Sequence, residues 1–177
     1  TSIYWMPIWR VLESDFDLKL VNPYFIKQLP GKKSDVKDAE WIAICLQKGL
    51  IKGSFVPDVA IQRLRQYNRR IFDLNKDISY KLTKLDMALQ RCNIRISNYI
   101  SSTDSKSYKK VVEKLASGLT DPQELEKCIH GRTVNRFGKD IITASLTGVI
   151  NETDIDIMSQ LKSEIDLAER HKSECLM

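Results

Sequence analysis

The chain has 177 residues, with 28 Lys and Arg against 23 Asp and Glu and a formal net charge of +5. This length suits one globular domain or a small domain with an extended element, and the mild positive charge permits a polyanionic partner without requiring one. Four scattered cysteines without a CxxC pair indicate a reduced cytoplasmic chain with no structural zinc. The sequence contains neither a signal peptide nor an apolar run of ~18 residues, which argues against a membrane partner.

The first 57 residues predict a small α/β unit. Helical spacing over residues 3–13 is followed by apolar–polar alternation over 16–21, which is typical of a short strand. A second helix is predicted over 35–48, and a second short strand over 53–57. Helix, strand, helix and strand in this order favour an α/β fold.

Residues 58–100 predict one long coiled-coil helix without an internal Gly or Pro. Two series recur every seven residues, as the a and d positions of a heptad do. They are Ile61, Asn68, Asn75, Leu82, Leu89 and Ile96 at a, and Leu64, Ile71, Ile78, Leu85 and Cys92 at d. A helix of this length buries its stripe only against another long helix, and asparagine at a would fix the register and the number of partners.

A helical tip is predicted over residues 101–152. Its expected helices lie at about 106–116, 122–129 and 134–145. A second heptad run over residues 153–177 predicts a second coiled-coil helix, within which the chain ends.

The two long helices differ in charge. Residues 61–110 hold 12 Lys and Arg against 4 Asp and Glu, whereas residues 152–177 hold 3 against 7. An antiparallel hairpin in which the basic helix pairs with the acidic one is the simplest topology, and pairing with a second chain is the alternative.

Asp35 and Asp38 lie three residues apart at the start of a predicted helix, within the segment PGKKSDVKDAEW. At this spacing their Cβ atoms lie about 5–6 Å apart on one face. Two such carboxylates can hold Mg²⁺ or Mn²⁺, and a second metal ion would need further carboxylates. Acidic residues in a first helical turn are also favoured by the helix dipole, so the spacing alone leaves both interpretations open.

Five segments then occur in a recognisable order: TSIYWMPIW, LVNP, LPGKKSDVKDAEW, GL and GSFVP, over residues 1–57. Together with the heptad arm that follows, they resemble the DEDD transposases of the one-hundred-and-ten group of insertion sequences. The resemblance implies a partial ribonuclease H-like (RuvC-like) unit over 1–57, followed by a coiled-coil hairpin formed by 58–100 and 153–177.

In that family, four acids in the order Asp, Glu, Asp, Asp bind two Mg²⁺ ions, and the last two correspond to Asp35 and Asp38. The resemblance therefore implies that both are catalytic metal ligands. The resemblance also implies that the Glu lies just upstream of Thr1 and the first Asp on a still earlier strand, and the chain begins without an initiator Met. The family's nucleophilic Ser belongs to a domain expected downstream, and neither Ser2 nor Ser34 takes that role.

The resemblance further implies that the intact enzyme cuts and rejoins DNA under the guidance of a structured RNA. It would act as a multimer in the bacterial or archaeal cytoplasm, at the nucleoid. We thus expect an internal fragment of a transposase that is inactive alone and holds no cofactor. The alternatives are a stand-alone nucleic-acid-binding module that self-associates through its coiled coil, and the product of a decayed mobile element.

Several cations are candidates for contact with nucleic acid. Lys32 and Lys33 precede the two acids and could touch phosphate, although loop lysines are more often only solvated. Arginine can pair phosphates and stack on bases, and the basic arm offers Arg63, Arg65, Arg69 and Arg70. The arm also carries Lys76, Lys81, Lys84, Arg91 and Arg95. The alternative is that the cations of the arm face the acidic second helix.

Overall fold

The computed structural model describes the backbone of residues 4–27 and 35–177, and the side chains of residues 4–26 and 38–177. Its helices are α1 Trp5–Leu12, α2 Pro23–Lys27, α3 Asp35–Gln47, α4 Val59–Arg91, α5 Lys106–Ala116, α6 Pro122–Glu126, α7 Gly131–Phe137, α8 Lys139–Ser145 and α9 Glu152–Glu174. The chain forms two compact units, divided inside α4. The N-terminal unit is Thr1–Gln62 and the C-terminal unit is Arg63–Met177.

The N-terminal unit does not show the two predicted strands. Over the ranges that the structure describes, residues 16–21 and 53–57 are irregular, and no residue is in a strand. One backbone hydrogen bond joins the two segments, donated by the Ser54 N–H to the Leu20 carbonyl oxygen at 2.6 Å. A β-ladder needs such bonds to repeat along both strands, so a single bond leaves two neighbouring loops. The α/β class and the RuvC-like fold stay predictions.

The N-terminal unit buries little apolar surface. Cys45 on α3 and Pro57 are its buried residues among those described. Many large apolar side chains of the unit are exposed, among them Tyr4, Ile8, Val11, Phe16, Tyr24, Phe25, Leu46, Leu50 and Phe55. Apolar surface of this extent normally packs against another element.

In the C-terminal unit, α4 and α9 run antiparallel. Arg91 Nη2 lies 2.6 Å from Asp154 Oδ1, and Lys81 Nζ lies 3.2 Å from Glu164 Oε2. Ten residues back along α4 therefore correspond to ten residues forward along α9. The two ion pairs place α4 beside α9 within one chain, while the coiled-coil packing of the two helices stays a prediction.

The core of the C-terminal unit is completed by α5, which contacts both long helices. The Tyr108 hydroxyl donates to Asp86 Oδ1 on α4 at 3.2 Å, and Lys109 Nζ donates to Glu169 Oε1 on α9 at 2.6 Å. The buried side chains of the three helices form one cluster, with Leu74, Ile78, Leu82, Leu85, Leu89, Tyr108, Val111, Val112, Leu115, Met158, Ile165 and Ala168.

The long helix α4 ends before the predicted boundary at residue 100. Asn93 has a φ of 65°, a left-handed conformation that asparagine tolerates better than most residues. The Ile94 N–H donates to the Leu89 carbonyl at 2.9 Å, and the Asn93 N–H donates to the Gln90 carbonyl at 2.9 Å. These two bonds form a Schellman motif, which satisfies carbonyl groups at the helix end.

After α5, the helices of the tip are shorter than the sequence predicts. The range predicted as one helix over 134–145 contains the end of α7 and all of α8, separated at Gly138 with a φ of 91°. Glycine adopts this conformation without a Cβ clash, and it redirects the chain between the two helices. Helix α6 begins at Pro122 behind the capping side chain of Asp121, and it ends at Glu126 rather than at 129.

Candidate metal ligands and nucleic-acid interface

The two candidate metal ligands lie in the first turn of α3, which begins at Asp35. The Asp38 side chain is exposed, while the Asp35 side chain and residues 32 and 33, which were predicted to contact phosphate, lie outside the described residues. The donor chemistry of two carboxylates one helical turn apart fits a hard divalent cation. Among the described residues, no three His, Cys, Asp or Glu side chains come together as a metal site.

The face of α4 opposite its buried side carries alternating cations and aromatic rings. With 100° of rotation per residue, this face lies roughly 170° from the centre of the buried side. Its residues follow one another at spacings of three or four, as neighbours on one helical face do. We call this set the outer stripe: Arg65, Arg69, Phe72, Lys76, Tyr80 and Lys84.

The two rings of the outer stripe are unusually open to solvent. Phe72 is 58% exposed and Tyr80 is 63% exposed. Each ring forms a cation–π contact with the ammonium group of a lysine. Lys76 Nζ lies 4.5 Å from the Phe72 centroid, and Lys84 Nζ lies 5.4 Å from the Tyr80 centroid. Exposed rings next to cations can stack on bases while the cations neutralise phosphates.

The outer stripe has a positive field. Its four cations are exposed, and none forms an ion pair within the part of the chain that the structure describes. Asp73 and Asp77 border the stripe on one side and reduce the field there. A basic surface of this kind attracts a polyanion.

The four arginines predicted as nucleic-acid contacts separate into two pairs. Arg65 and Arg69 lie on the outer stripe, whereas Arg63 and Arg70 lie on a face roughly 130° around the helix. All four are exposed. The alternative prediction, that the arm's cations face the acidic helix, applies to other residues, since the ion pairs to α9 come from Lys81 and Arg91.

Two residues of this interface, Phe72 and Tyr80, were missed by the sequence reasoning. Each is followed four residues later by a lysine on the same helical face. That spacing could have indicated the outer stripe from the sequence, whereas a heptad pattern identifies only the buried face of a helix. The exposed face follows once the buried residues of α4 are known.

The heptad seam of α4 is covered along only part of its length. Leu82, Leu85 and Leu89 are buried in the core of the C-terminal unit. Towards the start of the helix, Leu64 is 62% exposed and Asn68 is exposed. The second half of the seam is therefore buried within the chain, and the first half is exposed to solvent.

Comparison with known families decides the class of protein. Residues 1–94, more than half of the chain, match a family model described as Transposase, that of the DEDD transposases of the IS110 group. The chain belongs to this transposase family. The resemblance read from the sequence is thereby confirmed, and the matched region contains both Asp35 and Asp38 and all of α4.

The family gives the chain a transposase-related function, with DNA as the molecule on which transposases act. The comparisons with curated proteins and with solved structures give no match. In the part of the chain that the structure describes, no helix of this transposase is long and apolar enough to cross a membrane.

Proposed function

We propose that the chain serves DNA transposition in two ways. Asp35 and Asp38 supply two of the carboxylates that hold Mg²⁺ or Mn²⁺ for DNA strand cleavage and rejoining. The outer stripe of α4 binds nucleic acid, either the DNA or a structured guide RNA. The observation that carries this proposal is a basic, aromatic face opposite the buried side of a helix that lies inside the transposase match.

The metal part of the proposal rests on α3 and on the family. Both acids occupy the first turn of that helix, where side chains three residues apart share a face. Among the described residues, no third ligand joins these two acids. A two-metal site needs further carboxylates, so Asp35 and Asp38 would act together with the remaining acids of the family.

The exposed apolar side chains of the N-terminal unit support its role as part of a larger RuvC-like domain. Val11 on α1 and Phe55 near the start of α4 are both largely exposed. Strands and helices contributed by the rest of such a domain would cover surfaces of this kind. In this arrangement α3 would bring its two acids to the remaining ligands.

A transposase that carries these residues together with the family's remaining acids tests the metal assignment. Asp35→Asn and Asp38→Asn should each abolish Mg²⁺-dependent strand cleavage while leaving DNA binding intact. Glu40→Gln is the matched control, because Glu40 lies on the same helix and is exposed. If either asparagine variant cleaves DNA at the wild-type rate, the assignment of that acid as a metal ligand is wrong.

Self-association is a second candidate role, which the open half of the heptad seam favours. Leu64 and the asparagines at positions 68 and 75 are exposed along the first part of α4. Pairing of this segment with a second copy would bury Leu64 and pair the asparagines across the interface. Sedimentation equilibrium should show a dimer that Leu64→Glu dissociates and Gln66→Glu does not, and a monomeric wild-type chain would contradict this role.

A further inference from the structure

A groove in the helical tip brings together two segments that are distant in sequence. Residues 98–101, just after α4, face residues 132–137 on α7 across a cavity of about 500 Å³. This volume lies within the ~300–1,000 Å³ typical of small-ligand sites. The walls offer the amide of Asn98, the hydroxyl of Ser101 and the guanidinium groups of Arg132 and Arg136. Tyr99, Ile100 and Phe137 form the apolar part of the wall, so the groove is concave and of mixed polarity. It lies wholly within the C-terminal unit.

The two charged residues that line the groove, Arg132 and Arg136, are both cations. In the neighbouring sequence Arg95 and Lys139 are also basic, and Asp140 is acidic. Lys139 Nζ is engaged by Glu126 at 3.4 Å, while Arg132 and Arg136 are exposed and form no ion pair among the residues described. Two unengaged guanidinium groups on one short helix favour an anion that contacts both.

One of these guanidinium groups lies next to two aromatic rings that contact each other edge to face. Arg136 Cζ lies 5.0 Å from the Phe137 ring centroid. The Phe137 ring is in turn held edge-to-face by Tyr99, with centroids 5.3 Å apart and an interplanar angle of 74°. Both rings are partly buried, whereas Arg136 is exposed. A planar cation backed by a ring offers its outer face to a further planar group, such as a nucleobase.

We propose that this tip groove binds an unpaired nucleotide of a structured RNA. The base stacks on the Arg136 guanidinium, Arg132 pairs with the phosphate, and Asn98 and Ser101 line the wall beside the nucleotide. RNA is the partner because folded RNA presents unpaired nucleotides in its loops, whereas duplex DNA keeps its bases stacked inside. The inference rests on the proposed nucleic-acid binding and adds a contact remote in sequence from the outer stripe.

Fluorescence anisotropy with labelled RNA hairpins tests the tip groove. One hairpin carries an unpaired loop, and a reference RNA has the same stem closed as a continuous duplex. Arg136→Ala should weaken binding to the looped RNA about tenfold and leave the duplex unchanged, since loss of one stacked base has an effect of this order. Arg136→Lys should weaken it almost as much, because lysine keeps the charge but lacks the planar face.

The salt dependence of binding separates the role of Arg132 from that of Arg136. Arg132→Ala should lower the slope of log K against log salt by about 0.7, the value for one phosphate on a single strand. Arg170→Ala is the control for charge, since Arg170 is exposed near the other end of α9. Circular dichroism and thermal unfolding of each variant show whether the fold is retained.

Three outcomes would overturn the inference. Wild-type affinity of Arg136→Lys for the looped RNA would show that only charge matters there. A single-stranded DNA of the same loop sequence that binds as tightly as the RNA would remove RNA as the specific partner. If wild-type protein binds neither RNA nor DNA, the proposed function itself fails, and the tip groove fails with it.

Discussion

Arg91 Nη2 lies 2.6 Å from Asp154 Oδ1 and joins the last turn of α4 to the first turn of α9. The same carboxylate caps its own helix, because its Oδ2 accepts a hydrogen bond from the Asn151 N–H at 3.2 Å. The Asn151 side chain returns the contact by accepting from the Asp154 N–H at 2.9 Å. One buried acid therefore fixes both the start of α9 and its attachment to α4.

The pH dependence of stability should reveal this contact. The Asn151 N–H, followed by Arg91 and Cys92, lowers the pKa of Asp154 against an opposing effect of burial. Because the pKa is lower in the folded state, the stabilisation is present above the ordinary carboxyl pKa and is lost as pH falls through the folded-state value. Urea denaturation at several acidic pH values should show this loss in the wild type and not in Asp154→Asn. Asp156→Asn, at an exposed position of the same helix, should keep the wild-type profile.

Gly148 should be intolerant of a side chain. A Cβ at this position would lie 2.3 Å from the Cys92 carbonyl oxygen, and the Val149 N–H donates to the same oxygen at 3.0 Å. Gly148→Ala should lower the free energy of unfolding by about 1–3 kcal/mol, because backbone must move to relieve the clash. Gly131→Ala is the control, since a Cβ there meets nothing within 4 Å. Equal stability of the two variants would contradict the close approach.

Tyr108 should contribute through its hydroxyl as well as its ring. The side chain is fully buried, and burial, followed by the Asp86 carboxylate, raises the pKa of its phenol. Tyr108→Phe should cost about 1 kcal/mol of stability, the net value of a typical hydrogen bond, as measured by chemical denaturation. Ultraviolet titration of wild type and Tyr108→Phe should show that this phenol resists ionisation at alkaline pH. Ionisation of Tyr108 at its ordinary pKa would refute the raised pKa.

The rings of the outer stripe should affect binding without affecting stability. Phe72→Ala and Tyr80→Ala remove exposed rings, so thermal unfolding should change little. Affinity for single-stranded RNA or DNA should fall about tenfold for each, as loss of one stacking platform implies. Tyr67→Ala serves as the control, because Tyr67 is equally exposed but lies off the stripe. A similar loss in the control would mean that stacking is not localised.

The chain by itself should not cleave DNA in the presence of Mg²⁺ or Mn²⁺. In the proposed site Asp35 and Asp38 are two of four carboxylates, and the described residues provide no further cluster of metal-binding side chains. Incubation with supercoiled plasmid should leave its topology unchanged. Nicking that Asp35→Asn abolishes would show instead that the site forms within these 177 residues.

Local sequence signals predicted most helices, and specific residues explain the exceptions. Helix α5 has the bounds predicted, because Ser105 caps its start and Gly118, with a φ of 86°, follows its end. The heptad pattern continues to Ile96, but the left-handed Asn93 ends α4 earlier. Ile96 is buried as the first residue of a short 3₁₀ helix, Ile96–Asn98. The periodicity of buried residues does not distinguish these two ways of placing Ile96 in the core.

The sequence predicted one of the candidate sites and not the other. Asp35 and Asp38 were identifiable from the family resemblance, whereas their spacing alone was ambiguous. The tip groove could not be predicted, because Tyr99 and Phe137 meet only through the tertiary packing of the tip, and no local pattern encodes that approach.

Nucleic-acid binding by the outer stripe is tested most directly by the salt dependence of the affinity for duplex DNA. Arg69→Gln with Lys76→Gln should lower the slope of log K against log salt by about 1.8, the value expected for two lost phosphate contacts. Lys110→Gln with Lys114→Gln, an equally exposed pair four residues apart on α5, should leave the slope unchanged. Equal slopes for the two double variants would contradict the account.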